Sequence, residues 1–559
     1  MPKNVMKLVK PSPHRARNDF DLSHRHVMSQ NFGELIPATC IETVPGDHIE
    51  ISVANLLRAI PMVTSPFLRA KQHFDVWFVP YRDLWHNFDN FITQKNQPVS
   101  SALRGANYLP HTDIYKLYSL CSPSGTTDII GQATSKTSKK LLHYLGYADG
   151  NHASSTNPSG VNLFRLAAYN YIWYNEYRQQ YYDDGTHILG TGANPALLFN
   201  FDDLACDTLA NSLLESRTNY ATNFAAMCQM RYRCWKKDLF TGLLPATQFG
   251  NVSSIVTSND IDKWHNQGGS PLTNGASVIT RNGNGSLAFN SGGTITSIEH
   301  LHDFDVLALR KSEAVQIWRE NALRAGNRVK DNMLAHYGIA SDFRDHRPTY
   351  IGSCDSPLNI GDVIATANSD YSGNTNPNTN VGDIAGKGTA TISDNRFKFD
   401  AKDFGVIMVI SSLLPEAEYN AYGLDRMNML LESEDFFIPE YENLGLEAVS
   451  SNIFINIPTN AAKVIGYAPR YFGYKTKLDK CFGEFMSGGY FAPWCSPKTD
   501  VSTALASPSA LPLACLYVNP ALFDGNFTAA LSVTEQFLND MYFDVDAVRP
   551  MSVVGLPFS

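Results

Sequence analysis

The chain is 559 residues long, 43% hydrophobic and 18% charged, a composition that suits a folded globular protein of several domains or of one domain with long insertions. Its 45 Lys and Arg against 54 Asp and Glu leave a net charge of -9, which excludes a protein coated all over in nucleic-acid-binding charge and confines any such contact to one face. No apolar run approaches the ~20 residues of a membrane-spanning helix, and no apolar signal region follows Met1–Lys7, so synthesis and folding are expected in the cytosol without membrane insertion.

The opening segment carries Lys3, Lys7, Lys10, His14, Arg15, Arg17, Arg25 and His26 against Asp19 and Asp21, and Pro11 and Pro13 interrupt it. Residues 1–30 therefore read as an extended basic arm. A strand is predicted over Asp47–Val53, where Ile49, Ile51 and Val53 alternate with Glu50 and Ser52 as a half-buried strand requires. His73–Val79 reads as a second, more apolar strand stopped by Pro80. Leu163–Tyr182 reads as a helix whose rings (Tyr169, Tyr171, Trp173, Tyr174, Tyr177, Tyr181, Tyr182) occupy all its faces, so core packing or a subunit contact is expected there before base stacking.

Arg231–Lys237 interleaves Arg231, Arg233, Lys236 and Lys237 with Tyr232 and Trp235, a composition able to neutralise phosphates while stacking unpaired bases. The competing reading puts both rings in the core with the cations snorkelling around them. Gly250–Ser297 and Asp370–Ser393 are rich in Gly, Asn, Ser and Thr, too polar to build core, and read as long surface loops. From Ala314 to Tyr337 apolar residues recur at a helical period, with Gly326 weakening the helix and Gly338 placed to cap it. Gly405–Ile410 is continuously apolar, as a strand covered on both faces would be. Near the C-terminus Met541, Phe543, Val545 and Ala547 point one way while Tyr542, Asp544 and Asp546 point the other.

No catalytic pattern emerges. The nine cysteines contain no C-x-x-C pair, so neither a zinc site nor a disulfide framework is indicated and buried free thiols are expected. G-x-S-x-G is absent, and Gly386–Thr389 lacks the first glycine and the hydroxyl of a phosphate loop, so a glycine-rich surface loop is expected there. His300, His302, Asp303 and Asp305 have no metal-site spacing, and carboxylate pairs such as Asp202–Asp203 or Glu440 with Glu442 are common in long chains. No catalytic residue, cofactor or metal is expected. Strands at both ends, with helices and long loops between, favour a mainly β fold, a β-sandwich with large loop and helical insertions, over a βαβ arrangement.

Several uncommon strings occur together in this chain: Ser23-His24, Leu35-Ile36-Pro37, Pro45-Gly46-Asp47, Phe78-Val79-Pro80-Tyr81-Arg82 and Trp85. Tyr169-Asn170-Tyr171-Ile172-Trp173 follows with Glu176 and Arg178, then Trp235–Thr241 with Leu244-Pro245, and Ala335-His336-Tyr337-Gly338 with Asp342, Arg344, Arg347-Pro348 and Tyr350-Ile351-Gly352. The chain closes on Asp544, Val545, Ala547–Met551 and Gly555-Leu556-Pro557. In order and spacing these resemble the major capsid proteins of the microviruses, small single-stranded-DNA bacteriophages, and most closely their gokushovirus-like branch.

The resemblance implies a viral jelly-roll sandwich over residues 31–559, a homo-oligomer closing into an icosahedral T=1 shell around circular single-stranded DNA. It further implies scaffolding, pilot and small DNA-binding partner proteins, a host cell-surface receptor, and a place in the virion after assembly in the host cytoplasm. Within that frame Lys3, Lys7, Lys10, Arg15, Arg17, Arg25, Arg231, Arg233, Lys236 and Lys237 are the candidate nucleic-acid contacts, and residues 250–297 an exposed projection. The alternative from another class is a lectin-like sandwich that grips a host-surface glycan.

Overall fold

A computed structural model describes residues 17–85, 88–93, 109–121, 128, 130–147, 160–183, 199, 225–247, 264–265, 279–281, 287–289, 297–298, 306–325, 334–338, 347–364, 384–393, 395–455, 464–495 and 513–553. The chain divides into two compact units, one of Met1–Pro245 with Phe343–Ser559 and the other of Ala246–Asp342.

The first unit runs through β1 (Asn18–Asp21), β2 (His24–Gln30), β3 (Ile36–Thr43), β4 (His48–Ala59) and β5 (Ala70–Pro80). It resumes with β6 (Thr349–Pro357), β7 (Asn359–Ile364), β8 (Ile384–Ile392), β9 (Arg396–Asp400), β10 (Gly405–Pro415) and β11 (Phe537–Arg549). The strands form two antiparallel sheets. In the 7-stranded one, β1 and β2 lie on β11, β11 on β4, β4 on β8 and β9, and β8 on β7; the 4-stranded one has the order β6-β5-β10-β3. The pairs are nested: β1 and β2 find β11, β3 finds β10, β4 finds β8 and β9, and β5 finds its neighbour β6. Successive pairs fall in opposite sheets, so the chain is one long hairpin rolled up, which is the jelly-roll β-sandwich.

Side-chain alternation places the core. On β4 Ile49, Ile51 and Val53 point inward, on β11 Met541, Phe543, Val545 and Ala547, and they meet Phe74, Val76 and Phe78 of β5 and Ile407 and Val409 of β10. Strand β10 is buried along almost its whole length because its other face is covered too. There Val406, Met408 and Ile410, with Trp77 and Val79 of β5, lie under a helical layer of α1 (Thr134–Tyr144) and α2 (Phe164–Ile172). The continuous apolar run at 405–410 thus has the physical origin expected of it. Helix α2 ends in a π turn over Trp173–Tyr177, five residues short of the predicted Tyr182, and Tyr169, Tyr171, Trp173 and Tyr177 are buried in that layer.

A feature invisible to periodicity crosses the sandwich interior. Asn55 Nδ2 donates to Gln72 Oε1 at 2.6 Å, Gln72 Nε2 to Asn539 Oδ1 at 3.3 Å, and Asn539 Nδ2 to Gln30 Oε1 at 3.0 Å, where Ser411 Oγ also donates at 3.1 Å. These bonds link strands of the two sheets and so tie them together, while Gln30 Nε2 and Asn55 Oδ1 are buried without a partner.

Three expectations need correction. From Asn18 the basic segment is not a free arm: β1 and β2 pair with β11 in register Asn18↔Arg549 and His24↔Phe543. Gly386–Thr389 is strand, not loop, since β8 spans the second half of the polar tract 370–393, its inward positions being small Gly386, Gly388 and Ala390 before Ile392. Cys228 is disulfide-bonded, whereas Cys40, Cys234, Cys354, Cys481, Cys495 and Cys515 are free thiols.

In the second unit α3 spans Val306–Ala325, beginning eight residues before the predicted Ala314. A short helical turn at 334–337 ends at Gly338 with φ +66°, the left-handed cap its position called for. Gly326 lies outside the described residues. Within the polar tract 250–297, Ile279–Arg281 pairs with Leu287–Phe289, and Trp264–His265 pairs with Ser297–Ile298. Among the described residues no helix is long and apolar enough to cross a membrane.

Candidate nucleic-acid and assembly surfaces

Lys3, Lys7, Lys10 and Arg15 lie outside the described residues, as do His300, His302, Asp303, Asp305, Asp202 and Asp203. Arg17 is exposed at the mouth of β1. Arg25, on the outward side of β2, is already engaged: Nε and Nη2 each donate to Asp540 across the strand pair at 2.7 Å, and this holds the Asp540 carboxyl below its usual range. The outer surface beside it is acidic. Partial desolvation and the neighbouring Asp544, Asp19, Asp21 and Glu50 push the Asp546 carboxyl up, the mark of like charges gathered on one sheet face.

The run at 231–237 divides between interior and surface. Arg231 is buried, with Nε and Nη2 donating to Asn170 Oδ1 at 3.1 and 2.8 Å, Nη2 to the Ala226 carbonyl at 2.7 Å, and its guanidinium 4.6 Å from the centre of the Trp173 ring. Burial pulls its pKa down to about 10. Tyr232 is buried and donates to Asp128 at 2.8 Å, and Trp235 donates to the Tyr517 carbonyl at 3.1 Å. Arg233 reaches Ser412 Oγ at 2.6 Å and Asp75 at 3.4 Å, where Tyr177 also donates to Asp75 at 2.6 Å. Only Lys236 and Lys237 face outward: Lys236 is 73% exposed, and Lys237 lies 5.6 Å from the Tyr181 ring. Both rings are core residues, and the two arginines fasten the helical layer to the sandwich. The sequence carried no signal for this, because an arginine in a basic run looks the same whether it faces water or a buried amide.

Beyond β10 the first unit is built from short 3-10 turns and hairpins over a separate cluster of Phe240, Tyr419, Val449, Phe454 and Phe472. This stretch exposes large apolar side chains that a lone chain leaves in water: Leu431 at 88%, Tyr490 at 83%, Phe482 at 67%, Leu444 at 65% and Phe436 at 53%. Apolar surface of that kind, on turns whose backbone is held by its own hydrogen bonds, is suited to burial against another protein. Glu440 and Glu442 belong to the same stretch, and Glu442 lies 3.7 Å from Lys475.

The family model of the capsid protein (F protein) matches residues 9–558. Capsid protein VP1 of Chlamydia phage 1 is 23% identical over 623 aligned positions, covering 97% of this chain and 95% of that protein. Capsid protein VP1 of Bdellovibrio phage phiMH2K is 22% identical over 582 positions, covering 98% of this chain and 96% of its own length.

Proposed function

The chain belongs to the phage capsid protein (F protein) family and is a major capsid structural protein of the virion, and from that premise we propose that its copies close into an icosahedral T=1 shell around a circular single-stranded DNA genome. The observation that supports this reading is the exposed apolar surface at Leu431, Phe436, Leu444, Phe482 and Tyr490, which suits burial against neighbouring subunits. Closure multiplies individually weak contacts, so each interface needs little affinity of its own. Scaffolding, pilot and small DNA-binding proteins and a host cell-surface receptor are the further partners, with assembly in the host cytoplasm before release. Velocity sedimentation tests the reading: a fast particle supports it, a stable monomer does not.

DNA contact is assigned to the arm. An acidic chain enclosing a polyanion needs cations gathered on one surface, and Lys3, Lys7, Lys10, Arg15 and Arg17 supply them ahead of β1, with Lys236 and Lys237 as outlying contributors. Arg25 contributes least, because Asp540 already neutralises it. Replacing the five arm cations by glutamine is expected to lower packaged DNA and flatten its salt dependence, while empty shells keep their stability. Arg25→Ala alone should leave shell stability nearly unchanged, because solvent screens an exposed ion pair. Unstable empty shells with normal DNA content in the survivors would mean instead that the arm fastens a neighbouring subunit.

Residues 250–297 are proposed as an outward projection used in host attachment, because their Gly, Asn and Ser content offers little apolar area to offset ordering costs. Shortening this tract should leave particles intact and reduce adsorption to cells. Loss of folding would place it in the core.

A further inference from the structure

Apart from these surfaces, three distant stretches bring metal-binding atoms together. The carboxylate of Glu418 and the thiols of Cys481 and Cys495 all lie within 4.8 Å of one another, and Cys481 Sγ is 3.6 Å from Glu418 Oε2. A zinc ion bound to sulfur at about 2.3 Å and to oxygen at about 2.0–2.2 Å, with a tetrahedral angle between them, separates those two ligand atoms by about 3.6 Å. We propose that Glu418, Cys481 and Cys495 form a site for a thiophilic divalent metal ion, zinc by preference, with water in the fourth position.

The backbone holds the ligands in place before any ion arrives. Tyr419–Asn420 and Lys480–Cys481 form a short parallel pair in register Asn420↔Cys481, and Ala421 N donates to the Cys481 carbonyl at 3.1 Å, which sets Glu418 beside the thiol. Cys495 ends the 3-10 turn Ala492–Trp494, its carbonyl accepting from Asn526 Nδ2 at 3.3 Å. That turn is pinned to the sandwich edge by Phe67 N donating to the Trp494 carbonyl at 2.8 Å and by Thr64 Oγ1 donating to the Pro493 carbonyl at 3.0 Å.

Cys481 and Cys495 are both buried and Glu418 is half-buried, and a pair of thiolate ligands favours soft metals over calcium or magnesium. The chain between Glu418 and Cys495 carries the exposed apolar turns assigned to subunit contact. An ion there would clamp that surface to the β-sandwich, supplying rigidity that its small core does not, as structural zinc does in other loop-rich folds. Sequence spacing could not reveal the site, because its ligands are 63 and 14 residues apart and contain no C-x-x-C.

Cobalt titration of the full-length protein, purified reduced and metal-free, tests the site. The expected result is one equivalent bound per chain, with the near-ultraviolet charge-transfer absorption of cobalt-thiolate bonds and the visible bands of a tetrahedral ion. Cys481→Ser and Cys495→Ser should each lose about half of the charge-transfer intensity. Glu418→Gln should keep the thiolate bands but bind at least about tenfold more weakly, since even outer-shell partners are worth that much. Zinc should displace cobalt and bleach the visible bands. Reduced, folded wild type without thiolate-cobalt absorption would overturn the proposal, whether or not the serine variants fold. So would peptide mapping of freshly isolated protein that found Cys481 and Cys495 joined as a disulfide.

Discussion

Lys140→Met is expected to destabilise the unassembled chain by about 3–5 kcal/mol, the cost of removing one partner from a buried ion pair. Lys140 projects from α1 with its side chain 9% exposed, and its Nζ is 2.6 Å from both Glu34 Oε2 and Glu535 Oε2. Glu34 sits in the turn between β2 and β3 and also accepts from the Asn31 backbone and side chain at 2.9 Å each; Glu535 lies just ahead of β11. One ammonium therefore joins the helical layer to the start and the end of the jelly roll. Methionine keeps the length and apolar stem but leaves two carboxylates facing each other with no cation. Denaturant unfolding measures the loss, and a change under about 1 kcal/mol would mean the pair is solvated in solution.

The same group gives a pH signature. Burial alone would lower the Lys140 pKa, but Glu34 and Glu535 outweigh it and hold the ammonium up at about 12. An unfolded lysine titrates near 10.4. A folded pKa above the unfolded one means the stabilisation is fully present below about pH 10.4 and is lost as pH rises toward 12. The gap between wild type and Lys140→Met should narrow by about 2 kcal/mol across that alkaline window, the linkage value of such a shift.

Gly33→Ala is expected to cost about 2–5 kcal/mol, from about 1–2 for a left-handed alanine and about 1–3 for overpacking. Gly33 has φ +74°, and an added Cβ would stand 2.5 Å from Val518 Cβ and 2.8 Å from the Val518 carbonyl oxygen. Its own backbone is committed on both sides: its N–H donates to the Leu413 carbonyl at 2.9 Å, and its carbonyl accepts from Arg233 N at 2.7 Å. The crossing cannot open without breaking the link between β10 and the 231–235 segment. Gly338→Ala is the control, since Gly338 has φ +66° with nothing within 4 Å of the added atom, and should show only the left-handed cost. Equal losses at the two positions would show that the contact with Val518 relaxes freely.

Legibility followed the physics of each element. Strands β4, β5, β10 and β11 could be read directly, because the first and last alternate apolar with polar residues and β10 is apolar on both faces. Strand β2 was hidden because its inward positions include His24, stacked on Phe543 and reaching Thr39, and His26, edge-on to Phe543 and reaching the Ala38 carbonyl, polar residues that an apolar count passes over. Helix α1 was hidden in Thr134–Tyr144 because its sequence is mostly Thr, Ser and Lys, with burial resting on Leu141 and Leu142. The basic run at 231–237 was visible as a composition, but its division into a buried Arg231, a half-buried Arg233 and two outward lysines depends on Asn170, Asp75 and Ser412, all distant in the chain.

Electron microscopy of the full chain, co-expressed with the phage's other assembly proteins and isolated by sedimentation, tests the shell most directly. The expected result is closed particles of uniform size with icosahedral symmetry, Leu431, Leu444, Phe482 and Tyr490 covered by neighbouring subunits and residues 250–297 on the outside. Stable, well-folded monomers or small oligomers under those conditions, with the same apolar side chains still open to water, would contradict it.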